Sequence, residues 1–186
     1  MRATIDRTDE SGVLAELVEG VHGVVARNLP ADEASGLVAE QLRLHLPKAD
    51  LLTPEQRTGD PARYVQHILY VADDGSFSIV ALVWLPGQET AIHDHVSWCV
   101  VGVAQEQESE TLYRLCTDCA APHLVATGTH QNPTGAVCGF APPGDIHKVR
   151  NCSDRTAVSI HVYGADISVL GSSVRRSYDH PVRPCA

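Results

Sequence analysis

The segment Leu85-Pro86-Gly87-Gln88-Glu89-Thr90-Ala91-Ile92-His93-Asp94-His95 sets two histidines one residue apart, just after a Pro-Gly turn signal. On a β-strand, residues two apart point to the same face. His93 and His95 then project side by side. A third histidine, His147, ends the segment Pro142-Pro143-Gly144-Asp145-Ile146-His147, with Asn151 four residues beyond. It can close a three-nitrogen metal site with the first pair. Imidazole suits iron, zinc, copper and nickel alike, so three histidines alone do not name the metal. A solitary His-x-His reads as two surface imidazoles on one strand; the second block turns the reading toward a metal centre.

The composition sets the outer limits. A chain of 186 residues fits one domain and is long enough to bury a sizeable core. Hydrophobic residues make up 44% and charged residues 20%, the balance of a soluble globule. The formal net charge of −9 argues against nucleic acid or an anionic membrane as partner. No apolar run approaches the roughly 18 residues needed to span a bilayer. The first ten residues are polar and mixed in charge, without the apolar stretch of a signal peptide, so a cytoplasmic location is expected. Six cysteines are present, at 99, 116, 119, 138, 152 and 185. Cys116 and Cys119 have C-x-x-C spacing. No second pair exists to complete a zinc knuckle and no βαβ setting suggests a redox motif, so they read as free loop thiols.

Along the chain, residues 11–28 carry Val13, Leu14, Leu17, Val18, Val21, Val24 and Val25 near a helical period, and Pro30 stops the run. Residues 31–46 repeat the pattern through Leu37, Val38, Leu42 and Leu46. From Tyr64 the character becomes β. Strands are expected at 64–71, 77–85, 92–103, 109–115, 123–129, 136–141, 147–151 and 157–162, spaced as in a sandwich or barrel. The resulting division is a helical segment over 1–50, a barrel over 62–164 and a tail over 165–186 that wraps the outside. If 92–103 is one strand, Ser97 and Cys99 share the face of His93 and His95.

A second constellation is Ser159-Ile160-His161-Val162-Tyr163. Ser159, His161 and Tyr163 fall on one strand face, Ile160 and Val162 on the other. With the apolar pair against the wall packing, the polar triplet faces the cavity. Buried Ser, His and Tyr must be hydrogen-bonded, and a relay is the economical arrangement. No nucleophile elbow is present and no carboxylate is in position to orient His161, so this is not a serine-hydrolase triad.

The two histidine blocks resemble the first and second cupin motifs, implying a mainly β, small jelly-roll-like barrel with N-terminal helices. More narrowly, His93-Asp94-His95 followed by Trp98, then Pro-Gly-Asp-Ile-His, then Ser-x-His-x-Tyr resemble the cysteine dioxygenase family of thiol dioxygenases over about 64–164. The resemblance implies iron(II) on His93, His95 and His147. It implies an outer relay of Ser159, His161 and Tyr163, and insertion of both oxygens of O₂ into a small-molecule thiol to give a sulfinic acid. Where many cupins carry a Glu ligand, Cys99 and Val100 occupy the two candidate spacings, so the ligand set is three neutral imidazoles. A neutral set leaves the full dication charge for substrate to neutralise and favours an anion such as a thiolate.

The resemblance also bears on substrate. Animal members carry an Arg two residues after a Tyr on an early strand; here the run is Tyr64-Val65-Gln66. Gln66 cannot form the bidentate Arg–carboxylate pair. It resembles the bacterial branch that includes 3-mercaptopropionate dioxygenases, in which an Arg near the C-terminal end assists; Arg175 and Arg176 are the candidates. Animal members also link a Cys to the relay Tyr. Cys99 offers a possible thioether to Tyr163, although a free buried thiol fits its spacing better. The rival expectations are a cupin using zinc or nickel for isomerisation or C–C-cleaving dioxygenation, and a non-catalytic small-ligand-binding cupin.

Overall fold

The computed structural model describes residues 11–117 and 121–184. Cys119 and Cys185 lie outside them, so the C-x-x-C reading has only Cys116 within. Helices α1 (Ser11–Val25) and α2 (Ala31–Leu44) begin where expected and stop slightly short of the expected ends. Asn28, at φ 50°, and Pro30, immediately before α2, break the chain between them. The connection that follows contains two short 3₁₀ turns, Ala49–Leu51 and Gln56–Thr58.

Ten strands follow among the described residues: β1 (Val65–Val71), β2 (Ser78–Trp84), β3 (His93–His95), β4 (Cys99–Gln105), β5 (Gln107–Cys116), β6 (His123–Pro133), β7 (Val137–Phe140), β8 (His147–Asn151), β9 (Ala157–Tyr163) and β10 (Val174–Ser177). They form two five-stranded sheets, ordered β1-β2-β9-β4-β7 and β10-β3-β8-β5-β6. Every pairing between these strands is antiparallel. This is the double-sheet cupin barrel, with helices packed outside the first sheet.

Two expectations are corrected. The run 92–103 is two strands, β3 and β4, which belong to different sheets. The backbone amide of Val96 donates to Ser173 and the carbonyl of Trp98 accepts from Gly164, which fixes the bend between them. Ser97 consequently leaves the face of His93 and His95. The tail does not simply wrap the outside. After a four-residue helix α3 (Ile167–Leu170), β10 pairs antiparallel with β3, with Val174 opposite His95 and Ser177 opposite His93.

The core has two layers. The outward face of the first sheet presents Val158, Ile160 and Val162 to Leu17, Val21, Val38 and Leu42 of the helices, all fully buried. Each such side chain contributes about 1.5–3 kcal/mol of burial free energy. Close approach of α2 depends on missing side chains: a Cβ on Gly102 would lie 2.6 Å from the Leu46 side chain, and one on Gly139 2.9 Å from the Ser35 carbonyl oxygen. The inner layer lies between the sheets and includes Val80, Leu82, Trp84, Val101 and Val149. Strands β2 and β9 are buried on both faces, which is why β2 reads as a nearly continuous apolar run. No helix among the described residues is long and apolar enough to cross a membrane.

Candidate metal centre

Strand pairing brings the three histidines together. His93 on β3 lies directly opposite His147 on β8, and His95 follows on the same inward face. One ring nitrogen from each lies within 4.8 Å of the others, and all three side chains are buried. The other nitrogen of each ring is already engaged. His93 Nδ1 bonds the Ala91 carbonyl at 3.0 Å, His95 Nδ1 bonds Asp145 Oδ2 at 3.1 Å, and His147 Nδ1 bonds Glu110 Oε1 at 2.6 Å. A ring whose Nδ1–H is donated this way presents a bare Nε2 lone pair, the arrangement that orients metal-binding imidazoles. His147 Nε2 is buried without a hydrogen-bond partner, an unsatisfied acceptor that a metal ion would satisfy.

The electrostatics agree with this use. Burial, with repulsion from the neighbouring His147 and His95 rings, pushes the His93 pKa down to about 3, so its ring is neutral at physiological pH. Burial likewise lowers His95, against the opposing pull of Asp145. Burial alone would raise Glu110 and Asp145. Hydrogen bonds from His147 and His95 outweigh it and hold both carboxyl groups below their ordinary range. Two carboxylates therefore stand behind two of the three imidazoles. Nothing in the sequence singled out Glu110. A pair of acidic residues alternating along β5 looks like an exposed polar face, yet Glu108 and Glu110 point inward.

Strand β9 delivers the second group. In register, Tyr163, His161 and Ser159 lie opposite Ser78, Val80 and Leu82 of β2 on the inward face. Tyr163 hydroxyl meets His161 Nδ1 at 3.0 Å, and His161 Nε2 meets Ser159 Oγ at 2.9 Å. Trp84 Nε1 donates to Ser159 Oγ at 3.1 Å, a fourth member that sequence reasoning missed. Burial first, and the three metal-facing histidines second, push His161 down to about 3, so it is a neutral ring inside the relay. Burial and the adjacent Cys99 raise the Tyr163 pKa well above the usual value, which keeps its hydroxyl protonated.

Both groups open into one cavity of about 40 Å³, whose lining includes His93, His95, His147, His161 and Tyr163. Tyr64 and Gln66 also line it. Tyr64 stacks on Trp84 with centroids 4.4 Å apart, and Gln66 sits at the exposed end. Cys99 lines it as a fully buried free thiol, directly opposite Tyr163 in the β4–β9 register. Ser159 is one bond removed, behind His161. Arg175 and Arg176 are placed elsewhere. Both guanidinium groups bind the Asp94 carboxylate, at 2.6 and 2.7 Å, and Tyr178 hydroxyl donates to the same oxygen at 2.7 Å. Asp94 alternates with its histidine neighbours and faces the opposite side of β3, so neither arginine lines the cavity. Its C-terminal wall is instead Ser172, Ser173 and Val174, and among the described residues no Lys or Arg lines it.

Solved structures of similar shape include an RmlC-like cupin protein from Desulfovibrio desulfuricans, at 20% identity and TM-score 0.41, covering 56% of this chain and 86% of that one. Another is a cupin superfamily protein from Desulfitobacterium hafniense, at 11% identity and TM-score 0.46, covering 63% of this chain and 87% of that one. The family model described as cysteine dioxygenase type I matches residues 57–172, which contain all three clustered histidines and the whole relay. With more than half of its length under that match, the chain belongs to the cysteine dioxygenase type I family.

Proposed function

We propose that the protein is an iron(II)-dependent thiol dioxygenase acting on a small thiol carboxylic acid, 3-mercaptopropionate in preference to cysteine. The reaction consumes RSH and O₂ and yields RSO₂H, so both oxygen atoms end on sulfur and no other reductant is needed. The observation that carries the reading is the convergence, in one small cavity, of three Nδ1-anchored imidazoles and the end of the Ser159–His161–Tyr163 relay. His93, His95 and His147 would hold the iron. When bound, iron(II) supplies the one-electron chemistry that lets dioxygen react with a thiolate.

The remaining work falls to the protein. Three neutral imidazoles leave an anionic substrate to balance the metal charge. Tyr163, kept protonated by burial, holds substrate or oxygen in place through its hydroxyl. Tyr64, Gln66, Ser172 and Ser173 supply neutral hydrogen-bond groups for a carboxylate. Arg175 and Arg176 give no such help, because Asp94 holds both. Preference for the thiol acid over cysteine rests on the ammonium group, for which the cavity lining offers no carboxylate. Cys99 stays a free thiol in this reading, directly opposite Tyr163 in register; a thioether between them would form only with dioxygen accepting the two hydrogens lost.

Steady-state kinetics on the iron-loaded protein with 3-mercaptopropionate, L-cysteine and an aminothiol lacking a carboxylate provides the test, with sulfinate read by mass. A specificity constant for 3-mercaptopropionate ~10–150-fold above that for cysteine is expected, the scale of one charge-assisted hydrogen bond. A higher value for cysteine overturns the preference; absence of sulfinate from every thiol overturns the activity.

A further inference from the structure

A second hollow lies on the side of β3 away from the histidines. It is a cleft of about 480 Å³, bounded by β10, by the last residues of β5 and by the segment 143–146 that leads into β8. It shares no lining residue with the cavity of the histidines. Its size falls in the ~300–1,000 Å³ range of small-molecule sites. Its charge is opposite to that of the chain. The protein carries a net −9, yet Arg114, Arg175 and Arg176 line the cleft against a single carboxylate, Asp94. Leu115, Pro143 and Ile146 give the same cleft an apolar surface.

Asp94 does not exhaust the two arginines bound to it. Arg175 donates from Nε and Nη2, at 3.3 and 2.6 Å, and Arg176 from Nε and Nη2, at 3.1 and 2.7 Å. A guanidinium carries five N–H groups. Each arginine therefore keeps three, both on Nη1 and one on Nη2, and no acceptor among the described residues takes them. The Arg175 fork alone, one nitrogen to each carboxylate oxygen, would neutralise Asp94. Arg176 and the Tyr178 hydroxyl add donors to an oxygen already served, so the cluster holds one positive charge in excess. The two arginine side chains are 42% and 58% exposed, which leaves their outer edges open to a ligand. Arg114 at the rim forms no ion pair among the described residues; its Nη1 donates to Cys116 Sγ at 3.0 Å.

We propose that this cleft binds a small organic anion, its acidic group on the free N–H edges of Arg175 and Arg176 and its apolar body against Pro143 and Ile146. Planar guanidinium forks suit carboxylate and phosphate alike, so the shared chemistry is an oxyanion on a small apolar body. Asp94 already orders both guanidinium groups, so little side-chain freedom is lost when the ligand arrives. A local positive excess on an acidic protein also concentrates anions at this one place. The bound anion lies against the outer side of the segment whose Asp145 orients His95 and whose next strand begins with His147. It does not enter the other cavity, and its binding does not depend on the reaction run there.

The test is a calorimetric titration of the zinc-loaded, diamagnetic protein with phenyl phosphate, 3-phenylpropionate and the neutral 3-phenylpropanol, with the site located by backbone amide chemical shifts. At least one of the two acids is expected to bind at a single site per chain, ~10-fold or more tighter than the alcohol, the scale of one charge-assisted hydrogen bond. The tighter acid identifies the acidic group. The amides of Gly144, Ile146 and Arg176 are expected to shift, and those of Tyr64 and Gln66 to stay in place. Arg176→Gln leaves Asp94 with Arg175 and Tyr178 and is expected to weaken the acid by a similar factor. Thr127→Glu adds a negative charge at an exposed position of the cleft and is expected to do the same, should the first variant fail to fold. Failure of both acids to bind, equal affinity for acid and alcohol, or affinity unchanged in both variants overturns the proposal. So does binding that is lost when zinc is removed or that shifts Tyr64 and Gln66 instead, since the anion would then sit in the cavity of the histidines.

Discussion

Each metal-facing imidazole is anchored by a different acceptor: a backbone carbonyl for His93, Asp145 for His95 and Glu110 for His147. The shortest of these, at 2.6 Å, belongs to Glu110, which is charged and buried. Such a partner fixes the tautomer and raises the basicity of the ligating nitrogen. The Ser159–His161–Tyr163 chain stands apart from these anchors in the same cavity, and two conservative substitutions separate the two proposed roles. Glu110→Gln is expected to weaken metal binding by ~10–100-fold, read by competition with a chelator. Tyr163→Phe is expected to bind metal normally while turnover falls by ~10–1000-fold, the scale of a lost acid–base or preorganised electrostatic group. Metal loss in Tyr163→Phe together with retained affinity in Glu110→Gln would reverse the assigned roles. The histidines and the relay triplet were legible in the sequence because both sit at period-two spacing in short strands. Glu110 and Trp84 were not, because their roles come from contacts between strands distant in the chain.

At the scale of elements, β3 is only three residues long, and its position depends on neighbours at both edges. On one side β8 supplies the His147 pairing; on the other β10 closes the sheet. Asp94 ties β10 down through Arg175, Arg176 and Tyr178, on the face away from the cavity. Burial alone would raise Asp94, but these hydrogen bonds outweigh it and hold the carboxyl well below its usual range. A carboxyl with a depressed folded-state pKa stabilises the fold above its ordinary value of ~3.9, and that contribution is lost as pH falls toward the folded value. Asp94→Asn is therefore expected to cost about 1–3 kcal/mol at neutral pH, after screening of the half-exposed arginines. Denaturant unfolding checks this: the gap to wild type should close as pH drops below ~4. A gap that is independent of pH would show that the charge is not what holds β10.

The same element shows why sequence reading merged β3 with β4 and missed β10. The run from Ile92 to Val103 keeps β-like residues throughout, and nothing within it marks the bend at 96–98. That bend is fixed by Ser173 and Gly164, far along the chain. The tail carries two adjacent arginines and reads as a solvated surface until Asp94 is seen to gather them. Parity along one continuous strand predicts an inward Cys99. It does face the cavity, though it reaches it from the other sheet.

For the molecule as a whole, the double-sheet barrel was legible because turn signals punctuate short strands, and the helical segment because its apolar period is close to 3.6. The packing of helices on the first sheet was not; it depends on Gly102 and Gly139 opening room for α2. The net charge of −9 lies mostly outside the cavity, whose own carboxylates stand behind the imidazoles. The architecture thus brings three imidazole nitrogens and one phenol to a small space between two sheets. The central claim is that this space performs dioxygenation of a thiol. The most direct measurement is mass analysis of the product formed by the iron-loaded protein from 3-mercaptopropionate under isotopically labelled dioxygen. The expected result is a sulfinic acid with both oxygen atoms labelled; label in only one oxygen, or a disulfide as the sole product, would contradict the account.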